Sequence, residues 1–505
     1  MTDRYDVVIV GGGHNALVAA TYLAKAGRSV AVLERLGHTG GAAVSASPFP
    51  GVRLSRYSYL VSLLPDQIVT DLGLRLDLRS RSVSSYTPVF RDGAATGLLV
   101  ERAPGATTAD SFRALTGSDA EYAAWQQFYG DLARLAEALA PTLLDPLPTR
   151  DAARSLVVGA AGERIWRQVF EQPLGQSIEE TFADDVVRGV VATDGLIGTH
   201  TSLASPTLLA NKCFLYHLIG NATGEWRVPV GGMGAVTAEL LRVALAAGVE
   251  VVTDAEVTKV DADGKTAEVT VGGERVIGAD FVLSGVAPAA FDRLRGRAAE
   301  SPVGAQLKIN VLLDRLPRLK SGIDPRQAFA GTFHLDESYS ELEDAYQATV
   351  SGKLPDPLPG EMYCHTLTDP SILDPSLAER GAQTLTLFGL HLPTSLFPTT
   401  EDLAARYLAG LERHLIDPIA DCVARDADGN PCVEVRTPLD LEAELNMPGG
   451  NIFHGDLSWP FAEDGGWGVE TDVPNLFICG AGAQRGGGVS GIGGHNAAMA
   501  VLASS

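Results

Sequence analysis

The sequence predicts an α/β fold: a parallel-sheet domain with a second, α+β domain inserted into it, so that both are discontinuous in the chain. Three observations predict it. An apolar strand pattern runs straight into Gly11-Gly12-Gly13. A helix pattern and a second apolar strand ending in Glu34 follow at once. Two further glycine-rich segments, in 226–257 and 480–494, lie far down the chain, separated by long stretches of ordinary helix and strand patterning. The partition that follows is 1–64, 226–300 and 441–505 for the first domain, and 65–225 and 301–440 for the inserted one.

Residues 5–10, YDVVIV, are short, β-branched and apolar, as a strand covered on both faces must be. Residues 14–26 are rich in Ala and Leu and read as a helix stopped by Gly27. SVAVLE, 29–34, is a second buried strand, completing a βαβ unit of about 30 residues. The glycines fall at the strand-to-helix turn, where backbone N–H groups and the positive end of the helix dipole face outward. A diphosphate there needs no side chain between itself and the backbone. Gly11 makes the tight turn and Gly13 permits the close approach. Ala16 takes the third place of G-x-G-x-x-G and is small enough for the helix to press onto the strand. His14 and Asn15 open the helix beside this turn and are candidate cofactor contacts. Glu34 stands where a ribose 2′-OH would donate to it, and its charge repels a 2′-phosphate. Arg35 follows it. These features make the unit a Rossmann-like dinucleotide site. A glycine-rich turn of some other α/β protein would leave Glu34 without a role.

The dinucleotide is NAD or FAD. Gly40-Gly41 and Ala42, directly after the ribose-binding acid, favour FAD: a second close backbone approach suits its pyrophosphate and ribityl chain. The segment 226–257 again reads strand, glycine turn, helix, strand, with Asp254 near its end. Thr237 occupies the third glycine place and Pro229 interrupts the first strand, which disfavours a separate NAD(P)H site. TAEVTVGGERVIGADFVLSG alternates around Gly272-Gly273, a hairpin signal, and Ala279–Val282 returns as a core strand. Within the inserted blocks, Ser118-Asp119-Ala120-Glu121 has the capping-box pattern. Tyr122, Trp125, Phe128, Leu132, Leu135 and Leu139 follow at helical spacing. That stripe reads as core, with a substrate-pocket wall or a membrane-dipping face as alternatives.

The chain has 505 residues and a net charge of −23, which excludes nucleic acid as a partner and disfavours charge-driven contact with anionic lipid. Its five cysteines include no CxxC pair, so neither a disulfide framework, a zinc ribbon nor flavin-linked disulfide reduction is expected. The apolar start VVIV is too short for a signal peptide and is preceded by Asp3 and Asp6. A cytoplasmic protein is the expectation. No HxxxH or HExxH marks a metal site, so no metal is expected. No GxSxG marks a hydrolase.

Two side chains stand out as catalytic candidates. Lys308 lies in SPVGAQLKINVLL, where a buried ammonium would need partners; an outward-facing strand position is the plain alternative. His454, in MPGGNIFHGDLS, is a candidate proton acceptor or a structural histidine. His38 and His495, like His14, sit in glycine-rich loops and suit phosphate or backbone bonding. Arg485 faces either a substrate carboxylate or solvent.

The stretch GGGHNALVAATYLAKAGRSVAVLERLGHTGGAAV resembles the FAD-dependent phytoene desaturase and amine oxidase superfamily. The likeness is closer to the branch of pyridine nucleotide-disulfide oxidoreductase domain-containing protein 2. It continues through SRYSYLVSLLPDQIVTDLGL, PVGGMGAV, GNIFHGDLS and GAGAQRGGGVSGIGGHNAA. The resemblance implies a glutathione-reductase-type FAD domain, with Gly232 and Met233 near the flavin and the backbone at Val257 against adenine. It implies that the C-terminal loop, with Gly480, Gly488, Val489 and Ser490, caps the flavin. A helix starting near Val489 would then aim its N-terminus at the flavin N1–C2=O edge, where reduced flavin is anionic. Many relatives keep an acid after the preceding strand. Here Ala481, Gly482 and Ala483 stand there, leaving that contact to backbone or water. Lys308 takes the place of a lysine that holds a water near flavin N5. The implied activity is removal of hydride from a small, largely apolar substrate, with O2 or another acceptor reoxidising the flavin. Desaturation is the first expectation. Amine oxidation is the second, although its aromatic pair is missing from the C-terminal loop. A flavin-binding scaffold without turnover is the third.

Overall fold

The computed structural model describes residues 4–397 and 399–504; Asp3 lies outside them. Two seven-stranded sheets organise the chain. In the first, the parallel strands run in the order Glu250–Val252, Val30–Leu33, Arg4–Val10, Arg275–Ser284 and Leu476–Ile478. This is the Rossmann arrangement, with the first strand central and the chain crossing to either side of it. Val7, Val8 and Ile9 are fully buried because helices and loops cover both faces. The strands Val257–Ala262 and Ala267–Val271 extend the sheet as an antiparallel meander with the start of Arg275–Ser284. Its second turn passes through Gly272 and Gly273, both at positive φ, where the hairpin was expected.

The helix His14–Lys25 packs against the C-terminal helix Ile492–Ala503. Their backbones come so close that a Cβ on Gly494 would collide with the Asn15 carbonyl. The C-terminal helix starts three residues later than Val489. Gly491 breaks the chain at φ 72, and the Ser490 hydroxyl accepts from the Ile492 N–H at 3.2 Å.

The second sheet runs Val433–Arg436, Leu307–Leu313, Gln383–Gly389, Gly360–Tyr363, Thr332–Leu335, Val83–Arg91, Ala94–Glu101. Leu307–Leu313 is buried along its whole length between two antiparallel partners. A helical layer from Ala106 to Leu218 covers one end. In it, the helix Ala120–Leu139 buries Trp125, Phe128, Leu132, Leu135 and Leu139 in the core, with Tyr122 packed beside them. The capping box at Ser118 does not form: the Glu121 carboxylate accepts from the Ala183 N–H instead, at 2.8 Å. All strands of the first sheet fall within 1–64, 226–300 and 441–505, and all strands of the second within 65–225 and 301–440. Among the described residues, no helix is long and apolar enough to cross a membrane.

Candidate functional site

A single cavity of about 610 Å³ joins the C-terminal edge of the first sheet to the face of the second. Its first half is a groove built from backbone. The strand ending at Val10 turns at Gly11, φ 89, where a Cβ would meet Val286 at 3.0 Å. Gly12 donates its N–H to Glu34 Oε2 at 2.7 Å, and Leu36 donates to Oε1 at 2.8 Å. Each carboxylate oxygen keeps a further lone pair for a diol. Gly13 begins the helix with no side-chain cap, and nothing lies within 4 Å of where its Cβ would be. The first-turn amides therefore face the groove with only backbone beside them. Asn15 is 3% exposed, and neither of its amide atoms has a protein partner. Buried polar groups are normally hydrogen-bonded, so this amide fits a polar ligand lying in the groove.

The second loop leans on the first. Gly40, φ 123, donates its N–H to Gly12 O at 2.9 Å, and Gly41 passes 3.5 Å from Gly13 when given a Cβ. Gly41 and Ala42 line the groove, whereas Gly40 holds the loops together behind it. Ala16 also sits behind the groove, leaving room for Gly285. Arg35 lines the groove and donates to Glu444 O at 2.6 Å. Val257 lines the distal end. Gly480, Gly488 and Val489 close the other side, and His14 Nε2 lies 3.2 Å from Gly488 O, tying the first loop to the last. Burial pulls the His14 pKa down to about 4.

Several candidates are placed elsewhere. Gly232 and Met233 do not line the cavity. Their turn packs onto Ser45 and Ser55, and Met233 gives its N–H to the Ser55 hydroxyl at 2.9 Å. Ser490 is likewise spent on the helix start. His38 is exposed, and His495 bonds Asn496 at 2.9 Å; neither lines the cavity. Arg485 meets neither substrate nor solvent. It is 1% exposed and donates to the carbonyls of Thr142, Asp145 and Trp467, pinning the C-terminal loop to the helical layer.

Lys308 and His454 both line the cavity. Lys308 is 4% exposed, so the outward-facing alternative fails. Its Nζ donates to Ser55 O at 2.6 Å and Tyr57 O at 2.8 Å and lies 4.7 Å from the centre of the Tyr59 ring. Burial holds its pKa well below the usual lysine value. His454 sits at φ 65 with Nδ1 unpartnered, and burial, then the neighbouring His14, lower its pKa to about 4. A neutral imidazole is the form present near neutrality.

Beyond Lys308 the walls are side chains. Leu60, Leu63, Trp125, Tyr129, Val190 and Phe388 make an apolar sleeve. Asp194, Glu361, His334, Arg81 and Tyr363 lie among them. Burial and adjacent carboxylates raise the pKa of Asp194 to about 8 and that of Glu361 to about 7. The sequence reading missed this group. Glu361, in the apolar strand GEMY, carried the same signal that singled out Lys308. All five cysteines are buried free thiols, and none lines the cavity.

Residues 9–67 match the NAD(P)-binding Rossmann-like domain, and residues 64–351 match the flavin containing amine oxidoreductases. The chain belongs to the flavin-containing amine oxidoreductase family. An uncharacterized protein of Mycobacterium tuberculosis is 50% identical over 99% of this chain and 97% of its own. Pyridine nucleotide-disulfide oxidoreductase domain-containing protein 2 of Mus musculus is 31% identical over 99% and 93%. Among solved structures, putrescine oxidase bound to putrescine superposes with a TM-score of 0.60 at 20% identity, covering 99% of each chain. The amine oxidoreductase family carries a flavin, and the groove has the donors and acceptors for its dinucleotide form: a diol acceptor at Glu34, bare first-turn amides from Gly13 onward, and an unpaired side-chain amide at Asn15. The cofactor is FAD, and the protein is an FAD-dependent oxidoreductase.

Proposed function

We propose that the enzyme dehydrogenates a small, largely apolar organic substrate in the manner of a desaturase, forming a C=C bond. The apolar sleeve beyond Lys308 is the observation that carries this reading. Burying such a substrate gains about 25 cal/mol per Å² of its apolar surface. FAD, when bound, supplies a two-electron acceptor for the departing hydride at its N5.

The protein's own residues do the rest. Glu34, steadied by the Gly12 N–H, holds the ribose, and the helix-turn amides from Gly13 onward hold the diphosphate. Arg485 fixes the loop that carries Gly488 and Val489. Burial favours the uncharged amine of Lys308, whose two N–H donors go to backbone carbonyls, which leaves its lone pair for a water at the reaction centre. Through that water it takes up the proton that must leave with the hydride. The neutral His454 offers its open Nδ1 as a hydrogen-bond partner in the same space.

Asp194 and Glu361 favour a second reading, amine oxidation, because paired acids in a cavity suit a cationic nitrogen. Anaerobic stopped-flow with a panel of terpenoid alkenes and of mono- and diamines separates the two. Bleaching of the flavin by alkenes supports desaturation, bleaching by amines alone replaces it, and no bleaching by any donor turns the protein into a flavin-binding scaffold. Reoxidation of the bleached sample in air then identifies O2 as the acceptor; a sample that stays bleached until a quinone or dye is added identifies a dehydrogenase.

A further inference from the structure

The acidic end of the cavity contains a group of ligands that the flavin chemistry does not use. His334 and Glu361 are directly paired across the antiparallel strands Thr332–Leu335 and Gly360–Tyr363. Such pairs carry their Cβ atoms about 5 Å apart. Just after the first strand, Asp336 turns the chain at φ 54 and returns Glu337 onto the same spot. His334 Nδ1 lies 2.5 Å from Glu337 Oε2. One ligand atom from each of the three residues lies within 4.8 Å of the others, and all three side chains are buried.

The set also has the supports that ligands need. Tyr363 and Thr193 donate hydroxyls to the two oxygens of Glu361, Thr193 at 3.2 Å, and so fix its orientation. Glu337 is 1% exposed and no hydrogen bond within 3.5 Å reaches its Oε1. A buried carboxylate oxygen with nothing to accept from is costly unless the group takes up a proton or a cation satisfies it. The local charge points the same way. Asp194 and Glu361 both line this end of the cavity, and the charges of Glu361 and Glu337 both reach Asp194. His334 and Glu361 face the cavity, so a ligand position stays open on that side.

We propose that His334, Glu337 and Glu361 form a divalent-metal site of the zinc or manganese class, open to the substrate cavity. One imidazole and two carboxylates are a donor set for these ions; opening the close His334–Glu337 contact while the wider pairs draw in brings the donors to the spacing of about 3.4 Å found around a tetrahedral zinc. The spacing patterns searched for in the sequence could not show it, because one ligand comes from a neighbouring strand. The open position would anchor a substrate oxygen at the end of the cavity away from the nucleotide groove. Binding does not depend on turnover, so this inference stands or falls apart from the desaturase reading.

Equilibrium dialysis of FAD-loaded, chelator-treated protein against Zn2+ and, separately, Mn2+, followed by elemental analysis, tests it. We expect about one equivalent bound, with His334→Ala and Glu361→Gln each weakening binding by about a hundredfold or more, while Tyr363→Phe, which keeps all three ligands, weakens it about tenfold. Flavin content and circular dichroism identify any variant that fails to fold, and the remaining ones then decide. Absence of bound metal in the wild type, or wild-type affinity in both folded Glu361→Gln and His334→Ala, overturns the site and leaves a hydrogen-bonded acid cluster.

Discussion

The nucleotide groove and the far end of the same cavity are made of different material. The groove presents backbone: helix-turn amides bared at Gly13, a second loop laid against the turn through Gly40 and Gly41, and one acid, Glu34, bonded to the Gly12 N–H of the turn it serves. The far end presents side chains drawn from separate elements: Lys308 from one strand, His334 and Glu361 from two others, Asp194 from the helical layer. Backbone sites come from neighbours in the chain. Side-chain sites come from strand register, which neighbours do not report. The first half therefore settles the cofactor, and the second half sets what the cofactor meets.

The largest expected effect breaks the groove. Gly11→Val places a side chain at a left-handed position and against Val286, a strain of about 1–3 kcal/mol before any ligand is considered. The variant should be purified nearly colourless, with under about a tenth of the wild-type flavin-to-protein absorbance. Normal occupancy would mean that the turn does not approach the diphosphate.

A smaller change separates the halves. Lys308→Met should keep its FAD, because the groove is untouched, yet slow flavin reduction by substrate by about tenfold or more, roughly 1.4 kcal/mol in barrier. Loss of FAD would place Lys308 with the groove instead, and unchanged reduction would remove its role in proton uptake.

How much of each half could be read in the sequence follows from the same difference. Gly11, Gly13 and Glu34 were legible because strand, turn, helix and acid lie within one short unit. Gly232 and Met233 misled because a glycine turn before a helix looks alike whether it meets a ligand or a pair of serines; here Ser45 and Ser55 take the position. The capping pattern at Ser118 misled for a related reason: Glu121 finds the Ala183 and Asp184 amides, distant in sequence, before it turns back to its own helix. Lys308 was legible as a charge in an apolar strand. Glu361 carried that signal too, but its partner His334 becomes visible only when the strands are paired.

The smallest effect concerns His454. Burial and His14 lower its pKa to about 4, below the ordinary histidine value of about 6.5, so the neutral ring is favoured in the fold and a proton is resisted until the pH falls toward 4. The rate profile between pH 6 and 9 should therefore carry no inflection from it. His454→Gln, which keeps a hydrogen-bonding group, should lower the rate about threefold and leave the shape of that profile unchanged. A limb near pH 6.5 that disappears in the variant would show a ring that titrates freely and acts as the base.

The central claim is that paired glycine loops grip an adenine dinucleotide whose flavin end faces the side-chain half. The visible absorbance spectrum of the purified protein, with release and chromatographic identification of the chromophore, tests this most directly. A yellow protein that yields about one equivalent of FAD on denaturation is the predicted result. A well-folded, colourless protein that refuses added FAD, or one that yields FMN, would contradict it.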